Sequence, residues 1–152
     1  MQEIKGDVTR ITSGVIVHQT NCQGAIGAGI AGNLIKKWPA VSMGYHALCK
    51  ALPDKRDRLG LVQYVRVEPG LLVANSFSQF AYGNARRNGT VYTDEDLLIN
   101  NVQRVLDACP QERVYVPGYI GCGLAGGDWD RVRARLAALR GNDRLTVVYF
   151  VK

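Results

Sequence analysis

The stretch HQTNCQGAIGAGIAG, residues His18 to Gly32, decides how the rest of the chain is read. Its last six residues match G-x-G-x-x-G, the pattern in which a strand-to-helix turn carries a dinucleotide pyrophosphate. A true dinucleotide fingerprint places its first glycine directly after the strand and a ribose-binding carboxylate about twenty residues further on. Here Asn21 to Ile26 intervene, and the following MGYHALCKALPDKRDR reads as helix and basic loop, with no strand ending in Asp or Glu. The dehydrogenase reading fails, but the physics of the motif survives. Glycines let backbone N–H groups approach a ligand closely, and a helix start adds unsatisfied donors and a positive dipole end.

Upstream of the loop, VIVHQT (Val15 to Thr20) is apolar and β-branched at its start and predicts a buried strand. Downstream, Ile30, Leu34 and Trp38 recur at helical spacing until Pro39, and a second short helix is expected over about 41–52. A second glycine-rich stretch, PGYIGCGLAGG from Pro117, also follows a short strand (113–116) and precedes an amphipathic helix marked by Trp129, Val132, Leu136 and Leu139. If the two parent strands are neighbours, the loops face each other across one cleft and grip a diphosphate from both sides.

The remaining elements alternate. Gln2 to Ile4 forms a short edge strand, Leu61 to Val67 and Leu71 to Ser76 form a hairpin around Pro69-Gly70, and Leu145 to Val151 is a closing strand. Phe77 to Thr93 reads as a long loop, a site candidate on length alone. Leu97, Leu98, Val102, Val105 and Leu106 lie on one stripe of a helix capped by Thr93 or Asp94. Five or six strands interleaved with helices predict an α/β class domain, with helices on both faces of a mostly parallel or mixed sheet and ligands beyond the strands' carboxyl ends.

Bulk properties agree with one soluble domain spanning residues 1–152. The chain is 47% hydrophobic and 21% charged, no apolar run approaches a bilayer span, and the first ten residues lack a secretory h-region. The expectation is therefore cytoplasmic, with no membrane partner. Four cysteines, Cys22, Cys49, Cys109 and Cys122, show no metal spacing, so no metal and no cofactor are expected, and buried thiols are the simplest account. The net charge of +6 suits anionic ligands. Arg131, Arg133, Arg135 and Arg140 read as the solvated face of one helix; with Arg86 and Arg87 they motivate a competing nucleic-acid-binding reading.

Taken in order, IKGDVTR, TNCQGAIGAGIAG, NSFSQ, VYVPGYIGCGLAGGDW and TVVYF run nearly the length of the chain and together resemble the macrodomain family, whose members bind ADP-ribose and its derivatives. The pattern is most similar to the branch holding terminal ADP-ribose glycohydrolases, yeast-type ADP-ribose 1″-phosphate phosphatases and their phage relatives. The resemblance implies a three-layer α/β/α fold with a central mixed sheet of about six strands. It implies that Asp7 accepts from the adenine amino group beside the Val8 backbone, that Asn21 contacts the distal ribose, and that Tyr149 packs on adenine. It assigns Gly27, Ala28, Gly29, Ile30 and Ala31 to a first diphosphate loop, and Gly121, Cys122, Gly123, Leu124 and Ala125 to a second.

Two departures bear on chemistry. No lysine lies between Lys55 and Lys152, and Ala125 rather than aspartate follows Leu124, so the lysine-dependent glycohydrolase route has no residues to run on. Ala31 likewise stands where another hydrolase branch carries aspartate. Hydrolysis needs a positioned water, a proton acceptor and donors for the leaving oxygen. Asn21, Asp128 and His18 are the catalytic candidates; Asp128 also suits a helix cap and His18 a buried strand. Three readings follow: a hydrolase of an ADP-ribose derivative, a non-catalytic ADP-ribose reader, and a basic nucleic-acid binder. In the first two the partner is ADP-ribose or an ADP-ribosylated molecule, nucleic acid enters only as an ADP-ribosylated substrate, and the protein is a monomer.

Overall fold

In the computed structural model, which describes residues 1–151, a six-stranded sheet runs through the middle of the chain's packing. Its strands are β1 (Gln2–Gly6), β2 (Gly14–Asn21), β3 (Val62–Glu68), β4 (Leu71–Gln79), β5 (Val114–Pro117) and β6 (Leu145–Phe150). The spatial order is β1-β6-β5-β2-β4-β3, parallel throughout except for the antiparallel β3–β4 hairpin at one edge. The helices are α1 (Gly29–Lys37), α2 (Ala40–Ala51), the single turn α3 (Ala85–Asn88), α4 (Glu95–Ala108) and α5 (Trp129–Ala137).

Strand side chains alternate between faces, and burial on both sides makes the central strands nearly continuously apolar. Val15 and Val17 of β2, Val114 and Val116 of β5, and Leu145 and Val147 of β6 pack under Leu98, Val102, Val105 and Leu106 of α4 and Val132 and Leu136 of α5. On the opposite face Ile16, Leu71, Val73 and Val148 pack with Leu34 of α1, Trp38, Val41 of α2, and Val8. The predicted three-layer α/β/α fold with its mixed sheet is therefore the observed one. Among the described residues no helix is long and apolar enough to cross a membrane.

The expected loop from Phe77 to Thr93 is shorter than read. Phe77, Ser78 and Gln79 complete β4, because Phe77 and Gln79 pair with Thr20 and Asn21 of β2 and Phe77 and Ser78 are buried there, and residues 85–88 wind into α3 with Asn84 as cap. Polar residues at a strand's carboxyl end carry no alternating signal, which is why sequence patterning ends the strand at Ser76.

Placement of the site follows from topology. After β2 the chain turns to α1 and α2 on one face; after β5 it turns to α5 on the other. β2 and β5 are hydrogen-bonded neighbours, so the two connections diverge between them and open a crevice at their carboxyl ends.

Candidate functional site

The crevice is a cleft of about 630 Å³ bounded by both glycine-rich loops. Its first wall is formed by Asn21 and residues 25–31, its second by residues 117–121 and 123–125, and its far end by Gln79, Tyr82 and Gly83. His18, Gln19 and Thr20 form its floor at the end of β2. No Asp, Glu, Lys or Arg lines it.

Both walls contain backbone donors without a partner among the described residues. In the first loop Cys22 N–H donates to the Phe80 carbonyl, Gln23 N–H to Asn21 Oδ1, and Gly24 N–H to the Tyr45 hydroxyl. From Gly27 to Ala31 no backbone N–H has an acceptor among the described residues, and Ala28, the cap of α1, offers no side-chain bond. An uncapped helix start of this kind attracts an anion. In the second loop Cys122, Gly126 and Gly127 spend their N–H groups on Tyr119, Gly123 and Gly121 carbonyls. Those of Gly121, Gly123, Leu124 and Ala125, the residues that line the cleft, have no acceptor among the described residues.

The loops fold back on themselves by the same device. A Cβ on Gly32 would lie 2.5 Å from the Gly27 carbonyl oxygen, and one on Gly127 would lie 2.6 Å from that of Gly121. Only a residue without a side chain permits either closure.

Several buried side chains hold the loops from beneath. Tyr45 of α2 donates its hydroxyl to Asn21 O and Oδ1 at 2.9 and 3.0 Å, and burial pushes that hydroxyl's pKa up. Asn21 Nδ2 donates to the Ala25 carbonyl at 2.7 Å, so this side chain also frames the loop. Arg58, 6% exposed, directs its guanidinium at the carbonyls of Cys22, Cys49 and Leu52, tying the loop to the carboxyl end of α2. Under the second loop Gln19 Nε2 donates to Gln79 and Thr93, its Oε1 accepts from Ser78, and Thr93 Oγ1 donates to the Gly121 carbonyl at 2.5 Å. Arg58, Tyr45 and Gln19 carry no motif in the sequence. Alternation along VIVHQT places Gln19 on the α4 face, and that was the one available signal for any of them.

His18 is 2% exposed, and its Nε2 lies 2.5 Å from Asn75 Oδ1. Burial lowers its pKa to about 4, partly opposed by the Asn75 bond. Its Nδ1 and the Thr20 hydroxyl, both on residues that line the cleft, are buried without a partner.

Other expected site residues lie elsewhere. Asp128 is not in the cleft: its carboxylate caps α5 by accepting from Arg131 N–H at 3.2 Å and lies 3.7 Å from the Arg131 guanidinium. Cys122 turns its thiol away toward the α4–α5 core, donates to the Ile120 carbonyl, and has its pKa pushed up to about 11 by burial. Cys22 is likewise buried with its pKa raised to about 11, so neither loop thiol is primed as a nucleophile. Tyr149 faces α5 rather than the cleft, with its ring against Gly118, Tyr119 and Trp129 and its hydroxyl donating to Glu3 at 2.7 Å. Hydrogen bonds from Arg133 and Tyr149 hold Glu3 down to a pKa of about 2. The next residue, Phe150, is on the opposite face, 51% exposed, and pairs with Gly6. Strand alternation places the two residues on opposite faces of the sheet.

Asp7 and Val8 lie beyond the cleft lining, at the turn after β1 that packs against α1 and β5. Asp7 Oδ1 accepts from Thr9 N–H and hydroxyl at 2.9 and 2.7 Å, and the Thr9 hydroxyl bond holds its pKa below the usual carboxylate range. Val8 packs its side chain into the α1 face of the core.

The expected solvated arginine face is ion-paired. Arg131 meets Glu95 at 2.6 Å, Arg133 meets Glu3 at 2.6 Å, Arg135 meets Glu95 and Asp96 at 3.0 and 2.8 Å, and Arg140 meets Asp107 at 3.3 Å. Arg86 and Arg87 on α3 are exposed.

A three-layer domain whose crevice presents two loops of backbone donors is the class these elements define. No family model matches the chain. Solved structures do. A Bacteroides thetaiotaomicron protein is 32% identical with a TM-score of 0.83 over 99% of each chain. A macrodomain protein from Streptomyces coelicolor is 26% identical with a TM-score of 0.75, covering 99% of this chain and 98% of its own. Thermosipho africanus DarTG, solved in complex with ADP-ribose, shares the fold at 15% identity and a TM-score of 0.73, over 99% of this chain and 42% of that one. An Eastern equine encephalitis virus polyprotein is 29% identical over 137 residues, or 88% of this chain, and the chain spans 5% of the polyprotein's length. The chain has the macrodomain fold and is similar over nearly its whole length to a macrodomain protein.

Proposed function

We propose that this macrodomain binds ADP-ribose in the cleft and hydrolyses an ADP-ribose derivative, either ADP-ribose 1″-phosphate or an ADP-ribosyl adduct. One observation carries the reading: Gly27 to Ala31 and Gly121, Gly123, Leu124 and Ala125, whose backbone N–H groups have no acceptor among the described residues, line opposite walls of a cleft without a charged side chain. A diphosphate supplies the acceptors and the negative charge such a cleft lacks. The volume of about 630 Å³ suits a ligand of nucleotide size.

Sheet order gives the ligand a direction. Asp7 and Phe150 end the adjacent strands β1 and β6 on one side of the loops, and Tyr82 and Gly83 follow β4 on the other. Adenine lies at the β1–β6 end, with its amino group on Asp7 Oδ2, its ring on Phe150 and the Val8 N–H beside it. Asn21, Tyr82 and Gly83 take the distal ribose. Of the three catalytic candidates, His18 and Asn21 line the cleft, so proton acceptance from water at the distal ribose falls to His18, with Asn21 positioning the first loop and the loop N–H groups stabilising the leaving oxygen.

The reading as a non-catalytic ADP-ribose binder is favoured by the absence of any carboxylate from the lining and by Asp128's engagement as a cap. Calorimetry and phosphate release separate the two. Binding of ADP-ribose is expected, with phosphate released from ADP-ribose 1″-phosphate and turnover lost in His18→Ala while binding remains. No heat at millimolar ADP-ribose overturns both readings, and binding without turnover of any derivative leaves the binder.

A further inference from the structure

We propose that Gln63 and Asn75, anchored on the Gly44 carbonyl, are positioning residues that fix the tautomer of His18 and leave its Nδ1 as a bare lone pair for a water at the cleft floor. The functional part rests on the hydrolytic reading above; the tautomer does not.

The Gly44 carbonyl on α2 only accepts, and Gln63 on β3 reaches it at 2.7 Å, so the amide nitrogen Nε2 must point there. Gln63 Oε1 is thereby turned toward Asn75, whose Nδ2 donates to it at 3.0 Å. That leaves Asn75 Oδ1, again only an acceptor, facing His18 Nε2 at 2.5 Å. His18 Nε2 must therefore carry the ring proton, and in the neutral imidazole Nδ1 carries none. Each amide is oriented by the one before it, from a helix backbone, through the edge strand and β4, to the centre of the sheet.

Three features mark this chain as more than core packing. Asn75 is 0% exposed and His18 2%, so water does not compete for either bond. The approach of β3 to α2 is built in: a Cβ on Gly44 would stand 2.9 Å from Val65 Cγ2 and 3.4 Å from Gln63 Nε2. A merely structural histidine would be satisfied at both nitrogens, yet Nδ1 is buried with no protein partner. The Thr20 hydroxyl, two residues along the same strand, is also buried and unpartnered, and both residues line the cleft. A water admitted to Nδ1 from the cleft would donate a proton to it, and the Thr20 hydroxyl is the nearest unpartnered group in the strand to hold that water. Burial keeps the ring neutral at pH 7 and so keeps that lone pair open. In hydrolysis the water oxygen bonds to the electrophilic centre, its proton passes to Nδ1, and the leaving group departs with the bond's electron pair; the resulting imidazolium still donates through Nε2 to Asn75.

The test is nitrogen-15 NMR of the full chain, with His46→Gln separating the two histidines. The expected wild-type spectrum at pH 7 shows a protonated Nε2 and an unprotonated Nδ1 on His18. Asn75→Leu, and Gln63→Leu at the half-buried outer end in case the first variant fails to fold, are expected to mix the tautomers. Both should lower kcat on ADP-ribose 1″-phosphate at least about tenfold while moving the Kd for ADP-ribose less than about threefold. A wild-type His18 protonated at Nδ1, or a Gln63→Leu protein with an unmixed tautomer and unchanged kcat, overturns the proposal. The expected tautomer in a wild-type protein that turns over no derivative supports the relay and overturns the hydrolytic reading instead.

Discussion

At the scale of single residues, the cleft depends on polar groups that the fold buries, and His18 makes that burial measurable. Its folded pKa of about 4 lies below the ordinary value of 6.5, because burial disfavours the imidazolium. Between those values the unfolded chain binds the proton and the folded one does not, so stability falls as pH drops through that window. Integrating to pH 4.5 gives a loss of roughly 2 to 3 kcal/mol from this residue. Denaturant unfolding of wild type and His18→Gln between pH 7 and 4.5 is expected to show that extra loss in the wild type alone, and parallel curves would remove the assignment. Arg58 carries a different lesson: a buried cation matched by carbonyls rather than by a carboxylate marks a backbone clamp, and here the clamped backbone opens the first loop.

At the scale of elements, the two loop-to-helix junctions differ where the sequence made them look alike. Both follow a strand, both are glycine-rich, and both precede an amphipathic helix. α1 starts without a side-chain cap, whereas Asp128 already occupies the start of α5. An anion is therefore drawn to α1 and repelled from the first turn of α5. Asp128→Ala is expected to cost about 1 kcal/mol of stability as a lost cap and to leave ADP-ribose affinity within about threefold. Gly32→Ala, whose new methyl group would meet the Gly27 carbonyl, is expected to weaken ADP-ribose binding at least about tenfold, since the donors must be displaced for it to fit. Calorimetry on the two variants checks both, and the reverse ranking would move the anion to α5. The same junctions show what was legible. Strand β2, the helices other than α3 and the facing loops follow from apolar periodicity and glycine spacing. The cap on α5 follows from Asp128 at its position, whereas the uncapped start of α1 at Ala28 is seen only in the structure. The end of β4, the engaged Asn21 and the turn of Tyr149 away from the cleft depend on neighbours distant in sequence, which no local pattern encodes.

At the scale of the whole molecule, part of the basic charge behind the net +6 is paired. Arg131, Arg133 and Arg135 of α5 and Arg140 beyond it, which suggested nucleic acid, are engaged by Glu3, Glu95, Asp96 and Asp107, and the cleft between the glycine-rich loops is lined by no Asp, Glu, Lys or Arg. Exposed ion pairs of this kind add little stability each, yet they remove four arginines from the field a polyanion would meet. A small diphosphate ligand that enters the loops and a polyanion that spreads over the surface then differ in how they stabilise the fold. ADP-ribose at a hundred times its Kd adds about 2.7 kcal/mol to folding, and a domain of this size gains roughly 2–4 °C per kcal/mol, so Tm should rise by about 5–10 °C. That rise should persist from low to moderate salt, because its donors are backbone groups in a recessed cleft rather than surface cations. A single-stranded oligonucleotide at the same concentration should shift Tm by less than about 1 °C at moderate salt. Should the oligonucleotide stabilise as strongly as ADP-ribose, with an effect that collapses as salt rises and is untouched by Gly32→Ala, the surface rather than the cleft is the binding site.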